Sequence, residues 1–154
     1  MITLEEFKKK QLDKSRLIGL DLGSKRIGVS ICDEKQLIAT PFKTINRTNA
    51  KELINELRII IEENNIKGII IGNPINMDGS PSQSSQSAKD LAINLSKDIT
   101  ENVTLWDERL SSQGAFNLSN DLASNTSKKI SKLDENSAQF ILQGALDYLT
   151  KENT

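Results

Sequence analysis

The chain has 154 residues, the length of a single domain. It has no histidine and one cysteine, Cys32, which excludes serine–histidine triads, histidine-ligated zinc and an intrachain disulfide. Its 20 basic and 21 acidic side chains give a net charge of −1, so no overall basic field marks it as a nucleic-acid-binding protein. No apolar run matches a membrane span and the amino terminus does not resemble a signal peptide, so we expect a cytoplasmic protein that uses carboxylate, hydroxyl and Lys/Arg chemistry.

The first half of the chain predicts a meander of strands followed by a helix. Residues 1–16 are charged and should form a tail or a short helix packed on the outside. The run LIGLDLG predicts a strand, GSK a turn and RIGVSIC a second strand, which together make a hairpin. A third strand, QLIATPFKTI, has Pro41 where an edge or a bulge tolerates it. An amphipathic helix follows, capped by Thr48 or Asn49.

The second half predicts parallel crossovers. KGIIIG is a continuous apolar strand preceded by a helix, which favours parallel pairing. The long loop that follows, 73–87, is rich in Pro, Gly, Ser and Asn, and such loops are common binding sites. A helix, the strand NVTLWDE and the start of another helix come next, and the polar segment 124–132 is expected to be mobile. The chain closes on a helix with an apolar stripe, and this order of elements favours a three-layer α/β fold.

Three acidic positions stand out. Asp21 interrupts an apolar strand, where a lone carboxylate is costly unless it is paired or ligates a metal, although it is also suited to starting the turn at GSK. Asp107 and Glu108 end a later strand, and only one of two adjacent side chains can face Asp21. The other acid would pair with Arg109, unless the whole triplet is a surface salt-bridge cluster.

Asp134 opens the last predicted helix, where the commonest role of Asp is to cap the helix. Its spacing to Ala138, Ile141 and Ala145 also places it on the face that meets the sheet. Three acids at one edge of a sheet are what a magnesium site requires, because Mg²⁺ prefers carboxylate oxygens and retained water. Two such ions about 4 Å apart can promote phosphodiester hydrolysis.

Four ordered segments carry a resemblance to a known family. They are IGLDLGSKRIGVSICDE (18–34), IIIGNPINMDGS (69–80), WDERLSSQGA (106–115) and LDENSAQFILQGALDYL (133–149). In order and spacing they resemble the YqgF (RuvX) family of the ribonuclease H-like superfamily. The resemblance implies a ribonuclease H-like α/β fold over residues 17–150, with a five-stranded mixed sheet whose first three strands are antiparallel and with helices on both faces.

The same resemblance implies a hydrolase, a nuclease dependent on Mg²⁺ or Mn²⁺. Asp21, Glu108 and Asp134 match the catalytic, metal-ligating acids, with Asp107 as the alternate to Glu108. The substrate implied is pre-16S rRNA, matured at its 5′ end, with the ribosomal small subunit as a partner. A Holliday junction resolvase acting on branched DNA, and a non-catalytic RNA-binding or ribosome-associated factor, are the alternatives.

Nucleic-acid contacts are expected from basic residues near these acids. Lys25 and Arg26 lie in the turn after Asp21, and Arg109 adjoins Glu108. Lys128, Lys129 and Lys132 precede Asp134, although each of these charges would also suit a solvated surface. A rival class, the actin-like and sugar kinase ATPases, shares an Asp-x-Gly turn on the first strand but encloses its nucleotide between two domains, whereas this chain has the length of one.

Overall fold

The computed structural model describes residues 1–10, 15–76, 78–80, 82–110 and 126–150, with the side chains of 126–135 excepted. The strands are β1 Arg16–Leu22, β2 Arg26–Cys32, β3 Ala39–Asn46, β4 Ile66–Asn73 and β5 Asn102–Asp107. The helices are α1 Leu4–Lys9, α2 Ala50–Glu63, α3 Gln83–Asp98 and α4 Thr126–Thr150, with a 3₁₀ turn at Glu108–Leu110. None of the helices in these ranges is long and apolar enough to cross a membrane.

The strands form one mixed sheet in the order β3-β2-β1-β4-β5. β1, β2 and β3 pair antiparallel, whereas β1, β4 and β5 run parallel. The carboxyl ends of these three parallel strands therefore meet at one edge, which we call the carboxyl edge. The α/β fold with a five-stranded sheet, its first three strands antiparallel, is confirmed.

Side-chain alternation along β1 assigns its residues to two layers. Ile18 and Leu20 are buried in the core beneath α2 and α3, whereas Leu17 belongs to the core beneath α1 and α4. Gly19 lies so close to α4 that an added Cβ would be 2.7 Å from the Cβ of Leu142. Asp21 continues this alternation on the side of α4.

The amino-terminal residues, expected as a tail or an outer helix, include the short helix α1, which Thr3 caps. Phe7 of α1 is 2% exposed and lies over Gly68, where an added Cβ would be 2.5 Å from its ring. The backbone N–H of Ile2 donates to the carbonyl of Val103 at 2.9 Å. Helix α1 thus covers the sheet near the starts of β4 and β5, away from the carboxyl edge.

Two predicted boundaries were wrong. Helix α3 begins at Gln83, since the hydroxyl of Ser82 accepts from the N–H of Ser85, so residues 83–87 are helical and not loop. Helix α4 begins at Thr126, so Asp134 lies inside it and does not open it. Residues 126–150 contain no proline, and a helix anchored on a sheet extends at little cost into a polar segment that shows no periodicity.

Candidate active site

Asp21 and Glu108 come together at the carboxyl edge. Asp21 is the penultimate residue of β1, and Glu108 directly follows β5 as the first residue of the 3₁₀ turn. Both residues are partly buried. The negative charge of Asp21 acts on the carboxyl group of Glu108 strongly enough to raise its pKa.

The environment of Glu108 disfavours its charged form. Burial is the main cause, followed by the charges of Asp21 and then Asp107, and together they raise its pKa from 4.5 to about 7. A Cβ added at Gly72, near the end of β4, would be 3.3 Å from Cδ of Glu108 and 2.5 Å from Cδ1 of Ile141. Gly72 therefore leaves the space in which this carboxylate lies between β4 and α4.

Asp107 has a different partner. Its carboxylate binds the guanidinium of Arg109, with Nη2 to Oδ2 at 2.7 Å and Nε to both oxygens at 3.1 Å. The backbone N–H of Arg109 also donates to Oδ1 of Asp107 at 3.0 Å. These hydrogen bonds, led by that of the Arg109 side chain, lower the pKa of Asp107. The expected pairing of one acid with Arg109 is confirmed, and the acid is Asp107.

The end of β4 and the loop after it lie beside Asp107 and Arg109. Asn73 is buried, and its side-chain oxygen accepts from the hydroxyl of Ser85 at 2.7 Å. Asp78 accepts from the hydroxyl and the N–H of Ser80, and these bonds lower its pKa, with the charge of Arg109 as a smaller cause. Gly79 has a φ of +90°, which favours glycine, and a Cβ added there would be 3.6 Å from Nη1 of Arg109.

The turn between β1 and β2 carries two of the predicted nucleic-acid contacts. Lys25 is exposed and Arg26 is partly buried. The N–H of Gly23 donates to the carbonyl of Arg26 at 2.9 Å, and a Cβ at Gly23 would be 2.6 Å from that oxygen. Arg47, just after β3, binds this turn through two hydrogen bonds. Its Nη1 donates to the carbonyl of Gly23 at 2.9 Å, and its backbone N–H donates to the carbonyl of Lys25 at 2.9 Å.

The remaining predicted residues lie outside the described side chains. They are Asp134, Lys128, Lys129 and Lys132, all within the span of α4. Among the side chains that are described, no three acids, cysteines or histidines come together as a metal-binding group. The described part of the site is accordingly a pair of carboxylates, Asp21 and Glu108.

Sequence patterns did not indicate two residues that shape this edge, Arg47 and Asn73. Arg47 is a lone cation after a strand, and Asn73, the last residue of β4, is one of several polar residues in the segment predicted as a loop. Asp78 is different, because Asp-Gly is a turn signal that predicts the local hydrogen bonds to Ser80. The contacts of Arg47 and Asn73 join segments 12 to 24 residues apart and leave no local signal.

Comparisons with known proteins identify the family of this chain. Residues 15–148 match the model of the RuvX family, described as Holliday junction resolvase. A relative from Pelagibacter ubique is 66% identical over 149 residues, covering 97% of this chain and 99% of its own. A relative from Novosphingobium aromaticivorans is 43% identical, and the match covers 86% of this chain and 85% of the relative. Both relatives bear the name "Putative pre-16S rRNA nuclease".

Two solved structures share the fold at low sequence identity. The yeast mitochondrial Holliday junction resolvase aligns with a TM-score of 0.54 at 12% identity, covering 95% of this chain and 84% of its own. Thermus thermophilus RuvC bound to a Holliday junction aligns with a TM-score of 0.51 at 8% identity. The alignment covers 87% of this chain and 94% of the RuvC chain. With a family match over residues 15–148 and a carboxylate pair at the carboxyl edge of a resolvase-like sheet, this chain belongs to the RuvX family of nucleases.

Proposed function

We propose that this protein is a divalent-metal-dependent nuclease that hydrolyses phosphodiester bonds of pre-16S rRNA during maturation of its 5′ end. The observation that carries the proposal is the meeting of Asp21 and Glu108 at the carboxyl edge in a chain of the RuvX family. The names of the two relatives support the RNA substrate. A ribosomal precursor as substrate implies a cytoplasmic protein, with the small ribosomal subunit as its partner.

The donor set fits a hard divalent cation. Two partly buried carboxylates lie close together, and the charge of one raises the pKa of the other. Such a pair favours a cation that relieves the repulsion, and carboxylate oxygens are the ligands that Mg²⁺ and Mn²⁺ prefer. Asp21 and Glu108 would hold the ion, with Asp134 proposed as the third acid. When bound, the metal supplies activation of water and stabilisation of the leaving oxygen.

Other residues near the carboxylate pair are suited to bind the substrate or to serve as an alternate metal ligand. Lys25, exposed in the turn directly after Asp21, is suited to contact a substrate phosphate, and Arg26 lies beside it. Lys128 and Lys129 are proposed as further phosphate contacts. Asp107 is the alternate ligand, but its carboxylate already binds Arg109 through three side-chain contacts, which favours Glu108 for the metal.

The test is a cleavage assay with Mg²⁺ or Mn²⁺ on two substrates, a 5′-extended small-subunit rRNA precursor and a four-way DNA junction. Asp21→Asn keeps the size of the side chain and removes its charge, so we expect it to lower cleavage by at least about 100-fold with the fold intact. Glu34→Gln, at an exposed position after β2, is the matched control and should cleave like the wild type. Circular dichroism verifies that each variant is folded.

Cleavage of the RNA alone supports the maturation role. Full activity of Asp21→Asn, or cleavage that persists in EDTA, contradicts the metal-dependent mechanism. Failure of the folded wild type on both substrates favours a non-catalytic binding factor.

A second candidate function is resolution of Holliday junctions. The description of the matching family model favours it, whereas the names of the relatives favour rRNA. Cleavage of the DNA junction alone would reverse the order of the two candidates.

A further inference from the structure

A cavity of about 160 Å³ opens on the opposite face of the sheet from Asp21, near the same carboxyl edge. Its wall includes Leu22, which directly follows Asp21 in β1 and packs against the core beneath α2 and α3. The rest of its apolar lining comes from α2 and α3, namely Ala50, Leu53, Ile54 and Leu91. Because Leu22 and Asp21 are adjacent in β1, the cavity and the carboxylate pair lie near the same edge, on opposite faces of the sheet.

Polar groups surround this apolar lining. Thr48, Ser87 and Asn94 line the cavity, and none of the three makes a side-chain hydrogen bond to the described part of the chain. Asp90 lines it as well, with one carboxylate oxygen accepting from Gln86 at 2.9 Å. Hydroxyl, amide and carboxylate groups around an apolar floor match a flat ligand with apolar faces and hydrogen-bonding edges.

Arg47 connects the cavity with the active site. It lines the cavity while its Nη1 donates to the carbonyl of Gly23, two residues after Asp21. A guanidinium has five N–H donors, and this hydrogen bond uses one of them. Arg47 and the exposed Lys25 put two positive charges at the turn that follows Asp21, since the N–H of Arg47 donates to the carbonyl of Lys25.

We propose that this cavity receives a base of the substrate strand, close to the phosphate held at Asp21 and Glu108, with Arg47 binding the backbone between them. The ligand class is thus a nucleobase of single-stranded nucleic acid, read by Thr48, Ser87 and Asn94. The inference rests on the proposed nuclease function. It adds the feature by which the enzyme selects where along a strand it cuts, which a pair of carboxylates and a metal cannot supply.

The experiment combines abasic substrates with a variant that fills the cavity. Each nucleotide around the cleavage site of the rRNA precursor is replaced in turn by an abasic residue, and kcat/KM is measured for the wild type, Ser87→Leu and Ser84→Leu. Ser84 is exposed on α3 and does not line the cavity, so Ser84→Leu makes the same chemical change on the same helix as a matched control. Thermal unfolding verifies that the variants are folded, and Asn94→Leu replaces Ser87→Leu if the latter fails to fold.

In the wild type and Ser84→Leu, we expect one abasic position to lower kcat/KM by about tenfold or more, through KM. In Ser87→Leu, the intact RNA should lose a similar factor, and the abasic position should add no further loss. The proposal would be overturned if the abasic substrate lowered kcat/KM by the same factor in Ser87→Leu and Ser84→Leu. It would also be overturned if no abasic position lowered kcat/KM in the wild type.

Failure of the nuclease function is recognised separately. If the wild type does not cleave the intact RNA, the same substrates and variants are compared by fluorescence anisotropy, and the proposal predicts the same pattern in Kd. Binding without a sensitive base, or no binding of the RNA, rejects the cavity as a base site.

Discussion

Two neighbouring acids, Asp107 and Glu108, have opposite electrostatic environments. Asp107 binds Arg109, which stabilises its charge and lowers its pKa, whereas partial burial and the charge of Asp21 raise the pKa of Glu108 to about 7. Two side chains that are adjacent in sequence therefore differ in how readily they carry a negative charge. Asp107 is held as a fixed anion beside a guanidinium, and Glu108 carries the repulsion that a bound cation would relieve.

Glu108 should make the stability of the metal-free protein depend on pH. Its folded pKa of about 7 exceeds the usual 4.5, so the stability it contributes is fully present below pH 4.5 and is lost as pH rises through 7. Glu108→Gln removes this loss, and in EDTA at pH 8 it should unfold with a free energy about 1–3 kcal/mol above that of the wild type. The measurement is urea unfolding at pH 5 and pH 8.

The two proteins should differ less at pH 5, because Glu108 is then mostly neutral, as Gln is. The lowered pKa of Asp107 acts in the opposite direction, because the stability it contributes is lost as pH falls. Asp107 is present in both proteins, so its contribution cancels when their free energies of unfolding are subtracted. A constant difference between pH 5 and pH 8 would show that Glu108 does not titrate in this range.

The pairing of Asp107 with Arg109 can be tested by a double-mutant cycle. Because Arg109 binds both carboxylate oxygens of Asp107 through its guanidinium and its backbone N–H, we expect Asp107→Ala and Arg109→Ala each to lower kcat/KM by about tenfold, and the double variant by no more. The assay is cleavage of the rRNA precursor. Losses that multiply would instead indicate that Arg109 contacts the substrate independently, as its position in the sequence also predicts.

At the scale of elements, close approach between helices and strands decides where the site residues lie. Helix α4 approaches the sheet closely enough that its Ala138 carbonyl accepts from the hydroxyl of Ser30 in β2 at 2.7 Å. This contact is made possible by Gly19, where any Cβ would meet both Ser30 and Leu142. The same helix brings Ile141 over Gly72 and so bounds the space that contains Glu108.

Helix α1 should contribute to stability and not to cleavage. Phe7 fills the space over Gly68 and Leu17, away from the carboxyl edge, so Phe7→Ala should lower the free energy of unfolding by about 3 kcal/mol because it leaves a cavity. Phe7→Leu, which keeps most of the volume, should lower it by less. Urea unfolding and a cleavage assay well below the unfolding midpoint measure the two effects, and a loss of cleavage in folded Phe7→Ala would contradict this separation.

At the scale of the whole molecule, a net charge of −1 leaves nucleic-acid binding to a few local cations. If Lys25, Arg26, Lys128 and Lys129 contact four phosphates of a single strand, log K should fall with log salt concentration with a slope of roughly −3. Lys25→Ala should reduce that slope by about 0.7, whereas Lys9→Ala on the distant α1 should leave it unchanged. Fluorescence anisotropy at several salt concentrations measures it, and an unchanged slope in Lys25→Ala would remove that residue from the interface.

Local patterns in the sequence determined the order of strands and helices, the hairpin at Gly23, the edge position of Pro41 and the apolar stripe of α4. These features rest on short-range periodicity and on turn residues, so they are visible in a single chain. Together with the matching motifs, they also pointed to Asp21 and to the two acids at the end of β5, Asp107 and Glu108. The start of α4 escaped prediction because a helix that packs on a sheet extends into residues whose own pattern does not favour a helix.

The resemblance favoured Glu108 over Asp107, and the tertiary structure gives the physical reason why Glu108 is the acid near Asp21. After β5 the chain enters a 3₁₀ turn, so strand alternation no longer applies, and the choice follows from the space beside Gly72 and the pairing of Asp107 with Arg109. The cavity behind Leu22 and the hold of Arg47 on Gly23 are likewise products of packing. Apart from the local pairing of Asp107 with Arg109, these contacts join segments distant in sequence, and their energies depend on distances that no local pattern encodes.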